Sequence, residues 1–169
     1  MPTRNKRSAH DPGHNRKYLV VVDESTEVEA ALYFAASRIC HSAGAILLLY
    51  MIEPQDYQHW AGVRQIQVEE ETAKAKAMFR LFRRKLSLAG FGDIVSDEVI
   101  REGKPAEEIV KLIEEDQDIA ILVLGAAADT KGPGPLVSSL AVGKTAGTFP
   151  IPIVIVPGNL SLEEVKSLA

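Results

Sequence analysis

The residues able to do chemistry stand at the ends of apolar runs. Asp23 closes residues 18–22 (YLVVV), and Gly125 closes residues 119–124 (IAILVL), after which a loop rich in Gly and Pro leads to Ser138 and Ser139. A carboxylate at a strand end can hold a ligand, or it can simply accept the backbone amides that open the next helix. A backbone-rich loop and hydroxyls at a helix start can line a small-molecule site, because ligands of open α/β sheets sit at the carboxyl ends of the strands.

Other motifs fail on spacing. Gly143, Lys144 and Thr145 look like the tail of a Walker loop, but the pattern needs glycine where Ser138 stands, and the nearest apolar run ends far upstream at Leu124. Lys144 is left as a helix-surface cation within reach of a phosphate. His10 and His14 sit in a stretch with no helical pattern, and His41 and His59 have no carboxylate at ligand spacing, so no metal site is proposed. The serines form no nucleophile motif. Cys40 is the single cysteine, on an apolar helical stripe, and is read as packing rather than as a reactive thiol.

The elements that must position Asp23 and Gly125 alternate in type. Residues 18–22 and 45–52 (AILLLYMI) read as buried strands. Between them Thr26 and Glu29 suggest a capping box, and Val28, Leu32, Ala35, Ala36 and Ile39 recur at helical spacing. A polar loop, residues 53–62, carries Tyr57, His59 and Trp60 and is read as irregular surface, with a lid over a site as the alternative. A long helix follows over about residues 68–89; Met78, Phe82, Leu86 and Ala89 mark one face, and its charges read as a solvated face. A polar strand over about 96–101 is expected at a sheet edge, and GKPAEEIVKLIEED places Pro105 at the first position of another helix. Residues 119–124 form a strand, residues 136–148 a helix, residues 153–156 a last strand and residues 161–168 a short helix. Five strands alternating with four helices imply a mostly parallel sheet covered on both faces.

Composition narrows the function. A chain of 169 residues, 46% hydrophobic and 25% charged, makes one globular domain. Residues 1–17 carry five cations against Asp11 and are read as a basic disordered tail; residues 18–169 are the domain, with 14 Lys and Arg against 22 Asp and Glu. So acidic a body speaks against nucleic acid as a partner. No apolar stretch is long enough for a membrane span or a secretory signal, so the protein is read as cytoplasmic with no membrane partner.

Four stretches together resemble the universal stress protein family: VVD (residues 21–23), LLLYM (47–51), GKPAEEIV (103–110), and strand four with its loop through to FPIPIVIVPG (149–158). The likeness spans residues 18–158, nearly the whole domain. It implies an open five-stranded parallel sheet of order 3-2-1-4-5 with helices on both faces, Rossmann-like in the manner of the adenine nucleotide alpha hydrolases. Asp23 would then lie beside Gly125 at the switch point.

In nucleotide-binding members the aspartate after strand one and a backbone contact at the end of strand two hold the nucleoside, which implies Asp23 and Met51 here. Those members also carry Gly-x2-Gly-x9-Gly-Ser/Thr after strand four, cradling phosphate. Gly125 and Ser139 match that pattern, whereas Ala128 and Ser138 stand where glycines would be. A Cβ at such positions restricts backbone conformation and close approach to phosphate. The implied site is Asp23, Met51, Gly125, Ala128, Ser138 and Ser139, and the implied ligand is ATP or AMP with Mg.

The last strand, Ile153, Val154, Ile155 and Val156, falls at a sheet edge on this order. An apolar edge needs cover, either from its twin in a homodimer, as is common in the resembled family, or from the C-terminal helix. Three functions compete. The first is a stress-response sensor or regulator that binds an adenine nucleotide, and the second a dimeric adaptor that acts through an unidentified protein partner without nucleotide. The third is a hydrolase or transferase, for which no nucleophile or general base is evident; the chain is not expected to be an enzyme beyond, at most, weak ATP hydrolysis.

Overall fold

Both sets of alternating side chains in the central strands are apolar, so the sheet must be covered on both faces. The computed structural model describes residues 6–54 and 61–169. Its elements are β1 (Lys17–Val21), α1 (Val28–His41), β2 (Ala45–Ile52), α2 (Ala61–Leu88), β3 (Ser96–Glu102), α3 (Pro105–Glu115), β4 (Ile119–Ala126), β5 (Ile153–Pro157) and α4 (Leu162–Leu168). The five strands are all parallel, in the order β3-β2-β1-β4-β5. This is the architecture expected from the sequence.

Register fixes which side chains meet. Val20 of β1 lies level with Leu48 of β2 and Val123 of β4, and all three are fully buried. Val20, Leu48 and Val123 point toward α1 and α2, packing with Leu32, Ala35, Phe79 and Phe82. Leu19, Leu47, Leu49 and Leu122 point the other way, against Ile109, Leu112 and Ile113 of α3 and Val137 and Leu140 of the loop after β4. Each fully buried aliphatic side chain stabilises the fold by roughly 1.5–3 kcal/mol relative to exposure.

Several expectations need correction. Residues 136–148 do not form a continuous helix: a π turn, Val137–Ala141, is followed by bends and a 3-10 turn, Ala146–Thr148. Three weak helix formers, Gly143, Thr145 and Gly147, interrupt the segment. A Cβ on Gly143 would lie only 2.4 Å from the Ser139 carbonyl oxygen, so the chain turns away there. Lys144 and Thr145 therefore open no α-helix, only the short 3-10 turn, and the Walker reading has no structural context.

Helix α1 is preceded by Glu27 with no side-chain cap, so the capping box from Thr26 does not form. Cys40 is exposed rather than packed. Helix α2 begins at Ala61, earlier than its apolar face announced. The loop carrying Tyr57, His59 and Trp60 falls outside the described residues. Among the described residues no helix is long and apolar enough to cross a membrane.

The described part of the N-terminal arm is tied to the domain, contrary to its reading as a disordered tail. Arg7 donates to the carbonyl oxygens of Ile113 (2.7 Å), Asp116 (2.6 Å) and Ile119 (3.0 Å), at the end of α3 and the start of β4. Ser8 Oγ donates to Asp118 at 2.6 Å, and His14 Nδ1 lies 2.8 Å from the same carboxylate oxygen. Lys17, counted with the tail, opens β1 and pairs with Asp116 at 2.6 Å.

Candidate nucleotide site

The carboxyl ends of β1 and β4 are adjacent in the sheet, yet their connections leave in opposite directions, β1 to β2 and β4 to β5. Chains that part at such a point leave a crevice. Asp23 lies two residues beyond the end of β1, and its Oδ1 accepts the Ser25 backbone amide at 2.7 Å and the Ser25 hydroxyl. This is a local turn of the kind weighed for a strand-end aspartate as the alternative to holding a ligand. One carboxylate oxygen is thus engaged by the chain, and the other has no partner among the described residues.

A cleft of about 330 Å³ opens here, a volume within the range of small-ligand sites. Asp23, Met51 and Ser139 line it together with Glu53, Lys104 and Pro105. A smaller recess of about 50 Å³ adjoins it, lined by Asp23, Glu27, Gly125 and Gly134. Four of the six expected site residues, Asp23, Met51, Gly125 and Ser139, therefore lie on one continuous wall. Ala128 and Ser138 are exposed and line neither space.

The loop after β4 spends its amides on itself. The Ala127 amide donates to Pro133 O at 3.1 Å, Gly132 to Asp129 O at 3.2 Å, and Lys131 to Asp129 Oδ1 at 3.0 Å. Gly132 and Gly134 adopt φ of +107° and +102°, a left-handed backbone that glycine reaches without strain. The Ser138 amide reaches back to Gly134 O at 3.1 Å, and Ser139 Oγ donates to Leu136 O at 3.4 Å.

The site's electrostatics are acidic. Asp23 and Glu53 line the cleft against one cation, Lys104. Tyr50, next to Met51, donates its hydroxyl to Glu71 at 2.7 Å. Burial, the Glu71 hydrogen bond and the nearby charges of Glu24 and Asp23 all hold the Tyr50 phenol far above its ordinary value. The contribution of α3 was not anticipated. Lys104 precedes that helix and Pro105 is its first residue, so the positive end of the helix dipole meets the cleft. GKPAEE marked the helix start in the sequence but not what it would face.

Fold and crevice can now be set beside known proteins. The sequence model described as universal stress protein family matches residues 14–157. The chain belongs to the universal stress protein family. Among solved structures, universal stress protein UspA from Lactobacillus plantarum superposes with a TM-score of 0.62 at 21% identity, over 83% of this chain and 97% of that one. A universal stress protein in complex with cAMP gives a TM-score of 0.56 at 18% identity, covering 83% and 96%. The universal stress protein from Archaeoglobus fulgidus in complex with dAMP gives 0.50 at 16%, covering 83% and 97%. At these identities the likeness is one of fold. No curated protein sequence matches the chain.

Proposed function

We propose that this universal stress protein binds an adenine nucleotide between Asp23, Met51 and Ser139 and serves as a regulatory or sensor module in stress response. The observation that carries the reading is the convergence of the ends of β1 and β2, the loop after β4 and the first turn of α3 on one cleft. In this reading the free carboxylate oxygen of Asp23 takes a ribose hydroxyl, Met51 abuts the base, and the start of α3 with Lys104 supplies positive potential for phosphate.

The loop residues support one phosphate better than three. Amides that would cradle a polyphosphate are already bonded within residues 127–134, and Ala128 and Ser138 point no glycine backbone at the cleft. AMP is therefore the preferred ligand over ATP. Among the described residues no three His, Cys, Asp or Glu side chains cluster to hold a metal, so magnesium in this reading arrives on a nucleotide's own phosphates.

Titration calorimetry with AMP, ATP with and without magnesium, and GTP tests this. Adenine-selective heat that falls at least tenfold in affinity for Asp23→Ala supports the site. Ligand at a hundred times its dissociation constant raises stability by about 2.7 kcal/mol, visible as a melting shift. No heat with any adenine nucleotide sinks the reading. The self-satisfied loop then favours the adaptor that works through a protein partner.

The family reading also gives β5 a role as homodimer edge. Ile155 is 43% exposed there, while α4 packs elsewhere, on α1 and against the end of α2 through Lys166 Nζ to Ala89 O at 2.9 Å.

A further inference from the structure

Helix α2 is apolar on two opposite faces. Its inner face, Ala75, Phe79, Phe82 and Leu86, is buried against the sheet. At 3.6 residues per turn, Val63, Ile66, Ala73, Ala77, Leu81 and Leu88 fall on the opposite side in one stripe along the helix. Ile66 is 57% exposed, Leu81 48% and Leu88 79%. A helix that covers a sheet with one face ordinarily turns charge outward with the other.

Two charges interrupt the stripe, Glu70 and Arg84. Other charged side chains of α2 are held within the chain: Arg64 by Glu102, Glu71 by Tyr50, Lys74 by Glu24, Arg83 by Glu98 and Lys85 by Glu29. Glu70 and Arg84, like Lys76 and Arg80 at the flank, have no partner among the described residues. Glu70 lies seven residues before Ala77 and Arg84 seven after it. Ile66 and Leu88 are likewise equidistant from Ala77, as are Ala73 and Leu81.

We infer that the outward face of α2 is an interface for a second copy of this chain, the two helices packing antiparallel across a two-fold axis at Ala77. A two-fold contact must be self-complementary, and this stripe is. About the axis, Glu70 of each copy meets Arg84 of the other, Ile66 meets Leu88, and Leu81 meets Ala73. The small side chains at 73 and 77 let the helices approach where they cross. The surface lies toward the β3 side of the sheet, away from the β5 edge, so it is independent of any pairing there.

A disulfide trap tests the geometry. In full-length protein carrying Cys40→Ser, Ala77→Cys places one thiol at the axis, and Lys76→Cys places one at the flank. The expected result is rapid disulfide-linked dimer for Ala77→Cys under mild oxidation and at least tenfold slower linkage for Lys76→Cys. Glu70→Arg or Arg84→Glu added to Ala77→Cys should slow linkage at least tenfold, and the two together should restore it. Every one of these changes is on an exposed position, so the fold is retained. Equal rates at 77 and 76, or charge variants without effect, overturn the inference.

Discussion

The carbonyl oxygen of Glu27 occupies the space beside Gly125 where a side chain would begin. A Cβ built on Gly125 would lie 2.2 Å from that oxygen and 2.7 Å from its carbonyl carbon, both backbone atoms rather than the end of a movable side chain. The first turn of α1 thus closes directly on the end of β4. Gly125→Ala must push the helix off the sheet, at a cost of about 2–3 kcal/mol, and lower the melting midpoint by roughly 5–10 °C. Gly147→Ala, with nothing within 4 Å of its new Cβ, is the control and stays within about 0.5 kcal/mol. Equal midpoints for the two variants would show that α1 yields freely.

The arm makes a second prediction. Arg7 joins three carbonyl oxygens near the end of α3, where cationic donors also complement the helix dipole. Arg7→Ala should lower stability by about 2 kcal/mol, a drop of roughly 4–8 °C, since hydrogen bonds from charged groups contribute more than neutral ones. Urea melts of the two proteins measure it. An unchanged midpoint would mean the arm contributes nothing to the fold in solution.

Acid should act on the same corner. The hydrogen bond from Ser8, with further help from His14 and Lys17, holds the Asp118 carboxyl below its ordinary value of 3.8. A carboxylate depressed in the native state stabilises it above the unfolded value, and that stability drains as pH falls through the native one. Wild type should therefore lose stability below about pH 4 more steeply than Asp118→Asn does. Ser8→Ala should cost about 1 kcal/mol near neutrality and much less at low pH. Parallel curves for wild type and Asp118→Asn across the acid range would refute this.

For the β5 edge, a charge on the exposed strand is the direct probe. Ile155→Asp puts a carboxylate where paired strands would meet, so light scattering should report loss of that association with little change in melting. Unaltered mass in Ile155→Asp removes β5 from the assembly.

How much of this was written in the residues differs from element to element. Residues 45–52 are a strand with the bounds their apolar run announced, because burial on both faces leaves no polar position to blur the ends. Pro105 likewise starts α3 where its fixed φ suits the first helical position. Asp23, Met51, Gly125 and Ser139 line one wall through the strand order, which no local pattern encodes and which the family likeness supplied. Tertiary contacts overrode the rest. Residues 136–148 lose their helix to the crowding of Gly143 on Ser139, and Arg7 finds carbonyls more than a hundred residues away, a match that spacing cannot reveal. The outer stripe of α2 was hidden because charges near it read as a solvated face.

The docking of Arg7 has a consequence for synthesis on the ribosome. The arm leaves the exit tunnel ahead of the domain, yet its acceptor at Ile119 follows 112 residues later. Strand β1 is in the same position, since it sits between β2 and β4 and lacks one neighbour until residues 119–126 appear. At roughly 5–20 residues per second, the nascent chain holds an unpaired strand edge for several seconds. The sheet's centre is thus closed by its first and fourth strands, and Arg7 fastens them only once β4 is in place.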